Sequence, residues 1–174
     1  LFNGTADAMR RRVLAPLKNG LKTFSSRKKS SIKVLDVATG TGRTLHQIKR
    51  AMPTIELLGI DLSLAYLRKA NLSLNNNHGP LVQLIRGNAE TLPFSNSTIQ
   101  GVTCVYLLHE LPGYARKNVL NECLRVLEPG GILVLADSIQ LEDSPKFELI
   151  LNNFHKVFHE PFYKDYINDD ISSN

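Results

Sequence analysis

The sequence predicts a doubly wound α/β domain built on a mostly parallel sheet, and three observations predict it. Short β-branched or aliphatic runs alternate with longer amphipathic patterns from Ile32 onward. The first run opens into a turn of small residues, Asp36-Val37-Ala38-Thr39-Gly40-Thr41-Gly42. The second run closes on a carboxylate, Asp61, 19 residues beyond Gly42.

Strands are expected at 32–37, 55–60, 81–85, 99–105 and 131–136. Because these runs are apolar nearly throughout and are separated by helices, both faces of the sheet are expected to be covered, with right-handed crossovers. The helix expected at 41–52 leaves Pro53 at its exit, where a missing N–H does no harm. The helix at 63–74 begins with Ser63, a good cap, and carries Leu64, Leu67 and Leu74 near one face. Between 114 and 127, Leu120, Cys123, Leu124 and Leu127 recur at three and four, giving one buried stripe. Glu128-Pro129-Gly130-Gly131 then stops the helix and turns the chain.

Outside this alternation lie a basic amphipathic helix at 6–17, a polar Ser- and Lys-rich connector at 20–31, a helix at 145–158 and an aromatic, acidic stretch at 160–174 with no strand pattern. The expected organisation is therefore a basic helix and linker over 1–31, an α/β core over 32–138, and a C-terminal helix and tail over 139–174. Leu1 is no initiator, so a trimmed start is expected.

The 174 residues, 43% of them hydrophobic, suffice for one globular core. No apolar run approaches the roughly 20 residues needed to cross a bilayer, and no secretory leader is present at the start of the sequence. Cys104 and Cys123 both fall on apolar faces and read as core residues, which fits a reducing cytoplasm. The net charge of +5 is unevenly placed. Residues 1–33 hold nine Lys or Arg against Asp7 alone, whereas 137–174 hold three against eight acids. A basic arm such as Arg10-Arg11-Arg12 with Arg27-Lys28-Lys29 can meet phosphates, an anionic membrane surface or acids of the same fold, or form a plain solvated face.

Ligands on such sheets bind beyond the carboxyl ends of the strands, where strand order reverses. Small residues after the first strand let a backbone approach a ligand, and the following helix start offers free N–H groups. Asp61 can accept hydrogen bonds from both hydroxyls of a ribose, or it can simply cap the helix near Ser63.

Taken in order, VLDVATGTGR, GIDLS, GNAETLPF, VYLLHEL and LRVLEPGGILVLAD resemble the class I S-adenosylmethionine-dependent methyltransferases, especially the ubiquinone and menaquinone C-methyltransferases. The resemblance covers roughly 32–138 and implies a Rossmann-like sheet with S-adenosyl-L-methionine as cofactor. It implies that Asp36 and the turn Ala38, Thr39, Gly40 and Gly42 hold the methionine part. Asp61 would hold the ribose and Leu62 would pack on adenine. Asn88 would bond the adenine amino group, Ala89 would supply backbone contact, and Tyr106 would lie beside the methionine part. Two positions depart from the family pattern: Ala38 stands where a glycine is usual, and Asn88 stands where an acid is usual.

Methyl transfer asks the protein mainly to position and desolvate, and sometimes to remove a proton. His109, Glu110 and Tyr106, just beyond the fourth strand, are the candidates for proton removal, and each can equally be structural. The Asn/Asp-Pro-Pro-aromatic signature of nitrogen methylation is replaced by Val105-Tyr106-Leu107-Leu108-His109. That points to a carbon or oxygen acceptor on a small, hydrophobic molecule, away from DNA. The stretch 154–163 is read as core or as cover over such an acceptor. His155 and His159 lie four apart, but no third ligand accompanies them, so no metal site is expected. The family ends its sheet with two further strands that this sequence lacks; either the chain is trimmed or the sheet ends early, and an open edge could pair with a second copy. Two other functions remain: a binding or scaffold domain without activity, and a nicotinamide-dependent oxidoreductase. The latter predicts a Gly-x-Gly-x-x-Gly turn, where this chain offers only Gly40 and Gly42.

Overall fold

A computed structural model describes residues 3–25, 31–75, 81–143, 145–169 and 171. The basic cluster Arg27-Lys28-Lys29 lies outside the described residues. Five strands, β1 (Lys33–Val37), β2 (Glu56–Asp61), β3 (Gln83–Arg86), β4 (Ile99–Val105) and β5 (Leu127–Ala136), form one sheet in the order β3-β2-β1-β4-β5. Every pairing is parallel, as the continuous apolar strands predict. Helices α1 (Asn3–Ser25), α2 (Arg43–Ala51), α3 (Leu64–Asn75) and α4 (Gly113–Val126) complete the core, followed by α5 (Glu148–Phe158) and the single turn α6 (Tyr163–Tyr166).

Strand residues alternate between two cores. Val34 and Leu57 point into a layer with Val13, Leu17 and Leu21 of α1, Leu45 and Ile48 of α2, and Ala70 and Leu74 of α3. Leu35 and Leu58 point the other way, toward Val119, Leu120, Cys123 and Val126 of α4 and toward Tyr163, Tyr166 and Ile167. Both cysteines are buried free thiols, as their patterns suggested; burial pushes both thiols up, Cys123 to about 12. No described helix is long and apolar enough to cross a membrane.

Two expectations need revision. Gly20 does not begin a connector: α1 runs through it to Ser25, burying Leu21 and Phe24. The reason is a close crossing, since a Cβ on Gly20 would lie 2.7 Å from Cβ of Ile132 in β5. Helix propensity yields there to packing. Second, β5 starts at Leu127 and not at Gly131, because the register slips between Ile99 and Gly101 and absorbs the Pro-Gly-Gly turn within the pairing. Of the two readings of the stretch 154–163, core or cover, the described residues take the first. Tyr163, Tyr166 and Ile167 are fully buried, and Phe154 stacks on Tyr163 at 4.6 Å.

Arg116 of α4 anchors that stretch. It is 2% exposed, bonds Asp165 at 2.5 Å and Asp169 at 2.8 Å, donates to the Leu111 carbonyl at 2.6 Å, and lies over the Tyr166 ring. A buried guanidinium satisfied by two carboxylates and a carbonyl is the kind of charge a core tolerates.

The turn between β1 and α2 packs just as tightly. Gly42 has φ +79°, and a Cβ there would sit 2.7 Å from Cδ1 of Leu74 and 3.1 Å from Cβ of Ala70. The Gly42→Ala variant is therefore expected to lose about 1–3 kcal/mol of stability, from the left-handed backbone and the overpacked α3 contact together. A lower denaturation midpoint with an unchanged slope would show it; an unchanged midpoint would refute the packing role.

Candidate functional site

The strand order reverses between β1 and β4, and there a cleft of about 470 Å³ opens beyond the strand ends. Its walls are the turn after β1, the ends of β2 and β3, and the segment that follows β4. Eight of the ten expected cofactor residues line it: Ala38, Thr39, Gly40, Asp61, Leu62, Asn88, Ala89 and Tyr106.

The other two stand behind the wall. Asp36 is 1% exposed, and its carboxylate accepts the hydroxyls of Thr39 at 2.7 Å and of Thr103 at 2.6 Å, bracing the turn against β4. Gly42 faces α3 and is absent from the lining. By contrast, a Cβ on Gly40 would meet nothing within 4 Å, so this part of the turn is bare backbone. Ala38 keeps a left-handed φ of 53°, a conformation that costs an L-residue about 1–2 kcal/mol and suits the glycine usual there.

Asp61 caps the start of α3, one of the two readings of its position. Oδ2 accepts the Gly40 N–H at 2.8 Å and Oδ1 accepts the Ser63 N–H at 2.8 Å, so it ties the turn after β1 to the start of α3. Each oxygen keeps a second lone pair, and the residue lines the cleft, which leaves room to accept ligand hydroxyls. Leu62 beside it is 64% exposed, an apolar side chain left open at the rim. Asn88 accepts the Glu90 N–H through Oδ1 at 3.0 Å, so its loop is internally braced. That loop is also clamped from α4: Glu122 accepts the Leu92 N–H at 2.6 Å, and Arg125 donates to the carbonyls of Leu92 and Phe94.

The three candidates for proton removal separate. Tyr106 and Glu110 line the cleft, and His109 does not. The His109 ring pairs through Nδ1 with Asp137, sits 3.7 Å from Glu160 through Nε2, and meets Tyr106, Tyr163 and Tyr166 edge-on. Burial alone would lower its pKa, but Asp137, Glu160 and Glu110 carry it above the ordinary value. Asp137 also accepts the N–H groups of Leu107, Leu108 and Ser138, so it shapes the whole segment after β4. The Glu110 carboxyl is raised, chiefly by burial and also by the acids around it, with His109 opposing.

Sequence reading missed Arg10, Tyr66 and Leu111 in the lining, and missed Asp137 as the organiser of the post-β4 segment. Asp137 had a signal, a carboxylate ending the last strand. Arg10 had none, since it comes from the helix before the sheet. The His155 side chain lies outside the described residues. Among those described, no group of three or more His, Cys, Asp or Glu is placed to hold a metal.

Known proteins share this arrangement. A family model described as a methyltransferase domain matches residues 34–131. The demethylmenaquinone methyltransferase of Bacillus subtilis is 32% identical over 146 residues, 79% of this chain and 61% of that protein. That of Thermotoga maritima is 35% identical over 105 residues, 60% of this chain and 43% of that protein. Among solved structures, the BH2331 protein of Bacillus halodurans superposes with a TM-score of 0.67 at 25% identity, covering 84% of this chain and 61% of that one. The chain spans about half the length of the curated relatives it matches.

The buried Asp36 carboxyl titrates at about 6 in the folded chain against 3.8 ordinarily, because burial outweighs the two Thr hydrogen bonds and the Arg10 charge. A raised acid supplies stability that is fully present below its unfolded pKa and lost as pH rises through the folded one, here ~3 kcal/mol between about pH 4 and pH 7. Asp36→Asn removes this dependence. Thermal unfolding of the two proteins should show the variant gaining on wild type across that window; a constant difference would refute the assignment.

Proposed function

We propose that this chain, which belongs to the class I S-adenosylmethionine-dependent methyltransferase family, transfers a methyl group to a carbon or oxygen of a small, hydrophobic acceptor of the quinone kind. The observation that carries the reading is the convergence of the open Gly40 backbone, the Asp61 carboxylate and the Asn88-Ala89 loop on one cleft at the strand-order reversal.

S-adenosyl-L-methionine fits these residues. Its ribose hydroxyls match the free lone pairs of Asp61, and its adenine matches the exposed apolar face of Leu62 and the braced loop at Asn88 and Ala89. Gly40 and Thr39 would hold its amino-acid portion through the turn backbone. When bound, the cofactor supplies an electrophilic methyl on a sulfonium.

What the chain itself contributes is placement and a dry wall. Val105, Leu107, Leu111 and Val119 line the cleft with apolar surface that excludes water from a reacting carbon or oxygen. Asp137 fixes the backbone of Leu107 and Leu108, so the wall keeps its shape when an acceptor approaches. Glu110, facing the cleft with a raised carboxyl, is the group positioned to accept a proton from the acceptor. His109 acts from behind, holding the segment in place.

A nicotinamide cofactor suits the cleft poorly. The third glycine of a dinucleotide turn would fall at Leu45, whose fully buried side chain fills the space below the turn.

Calorimetric titration should give saturable binding of S-adenosylhomocysteine and none of NAD. Asp61→Asn should weaken S-adenosylhomocysteine by ~1–3 kcal/mol, since one acceptor oxygen and its charge are gone. With S-adenosyl-L-methionine and a reduced naphthoquinone, mass spectrometry should find a product heavier by one CH2, a methyl having replaced a ring hydrogen. Binding of NAD alone would overturn the reading.

A further inference from the structure

Helices α1, α2 and α3 lie side by side on one face of the sheet, with α2 touching both of the others. Their inward residues are apolar and their outward residues carry positive charge. α1 exposes Arg11, Arg12, Lys18 and Lys22 on the side away from Val13, Leu17 and Leu21. α2 exposes Arg43 and Arg50, two turns apart, and α3 exposes Arg68 and Lys69 with Leu72, 61% exposed, on the same side. Asp7 is the one acid in the sequence of all three helices.

The acids of the adjoining strands do not neutralise this face. Asp36 is buried, Glu56 pairs with Lys33 at 3.8 Å, Asp61 accepts two backbone N–H groups at the cleft, and Glu128 accepts the Gln100 amide at 2.6 Å. Glu90 and Glu110 line the cleft. Across the sheet the balance reverses, since the segment 137–174, with three Lys against eight acids, packs into the opposite core through Leu151, Tyr163 and Tyr166. On that side α4 is mixed, with Arg116 and Arg125 held by acids. Like charges gathered on one face repel one another, so they do nothing to hold the three helices together.

We propose that the outer face of α1, α2 and α3 is a docking surface for an anionic lipid bilayer. Lipid phosphates attract each exposed Lys or Arg within a Debye length of the surface, and the long side chains can keep their heads at that level while their stems lie on the helices. Leu72, an apolar side chain among cations, suits entry into a headgroup layer. A nucleic acid strand would want stacking rings, but the exposed aromatic residue of these helices, Tyr66, lines the cleft. Arg43 belongs both to this face and to the cleft lining, so a bilayer held here borders the opening through which a hydrophobic acceptor enters.

Attachment is read without turnover and so stands apart from the proposed function. The whole chain can be sedimented with vesicles of phosphatidylcholine alone and with vesicles in which about a third of the lipid is phosphatidylglycerol. Only the second should carry the protein down, and the bound fraction should fall steeply between about 0.05 and 0.5 M salt. Arg50→Glu and Lys69→Glu, both outside the cleft lining, should each weaken binding by about fivefold or more. Lys117→Glu, the same charge change on the exposed side of α4 across the sheet, should bind as wild type does. Equal uptake by neutral vesicles, uptake by neither, a loss from Lys117→Glu as large as that from Lys69→Glu, or tighter binding of a DNA duplex at equal phosphate concentration would each overturn the assignment.

Discussion

The cleft exists because a parallel sheet reverses its strand order between β1 and β4. A strand that leads to a helix on one face and a neighbour that leads to a helix on the other must part at their carboxyl ends. Here α2 leaves β1 toward the layer of α1 and α3, while α4 follows β4 toward the opposite core. Everything else at the site either widens that gap or stiffens its edges.

Three carboxylates at strand ends do the stiffening, each with a different division of labour. Asp36 is buried and accepts one Thr hydroxyl on each oxygen, from Thr39 and Thr103. Asp61 spends one hydrogen bond per oxygen on backbone N–H groups and keeps lone pairs facing the cleft. Asp137 holds Leu107, Leu108, Ser138 and His109 together after β4 and β5. Acids at such positions are therefore not equivalent ligand groups. Burial behind the turn keeps Asp36 from the cleft, whereas Asp61 lines it, so the place of each carboxylate decides whether it can touch a ligand or only shape the residues that do.

The segment after β5 takes part indirectly. Its aromatic residues fill the core beneath the post-β4 segment, with Arg116 bridging to Asp165 and Asp169 and the His109 ring set among Tyr106, Tyr163 and Tyr166. Among the described residues that line the cleft, none comes from beyond Val119. The described residues of this part support the cleft from behind and do not roof it. At the other end, α1 does enter the cleft, through Arg10.

The alternation of apolar runs with amphipathic patterns by itself determined the five parallel strands and the helices between them, because strand burial on both faces leaves a continuous apolar signature. The order of the strand-end motifs likewise marked Gly40, Asp61, Leu62 and Asn88-Ala89, since each sits next to a strand that the pattern locates. What only the tertiary structure decided depends on contacts between distant segments. Gly20 is a helix residue because Ile132 of β5 crosses it, which no local propensity reveals. Asp36 and Gly42 stand behind the cleft because Thr103 and Leu74, far off in sequence, claim them. His109 was separated from Glu110 by Asp137, and Arg10 was brought into the cleft by the docking of α1. Side-chain direction at a turn is set by whichever long-range partner satisfies it, and a local pattern in the chain carries no record of that partner.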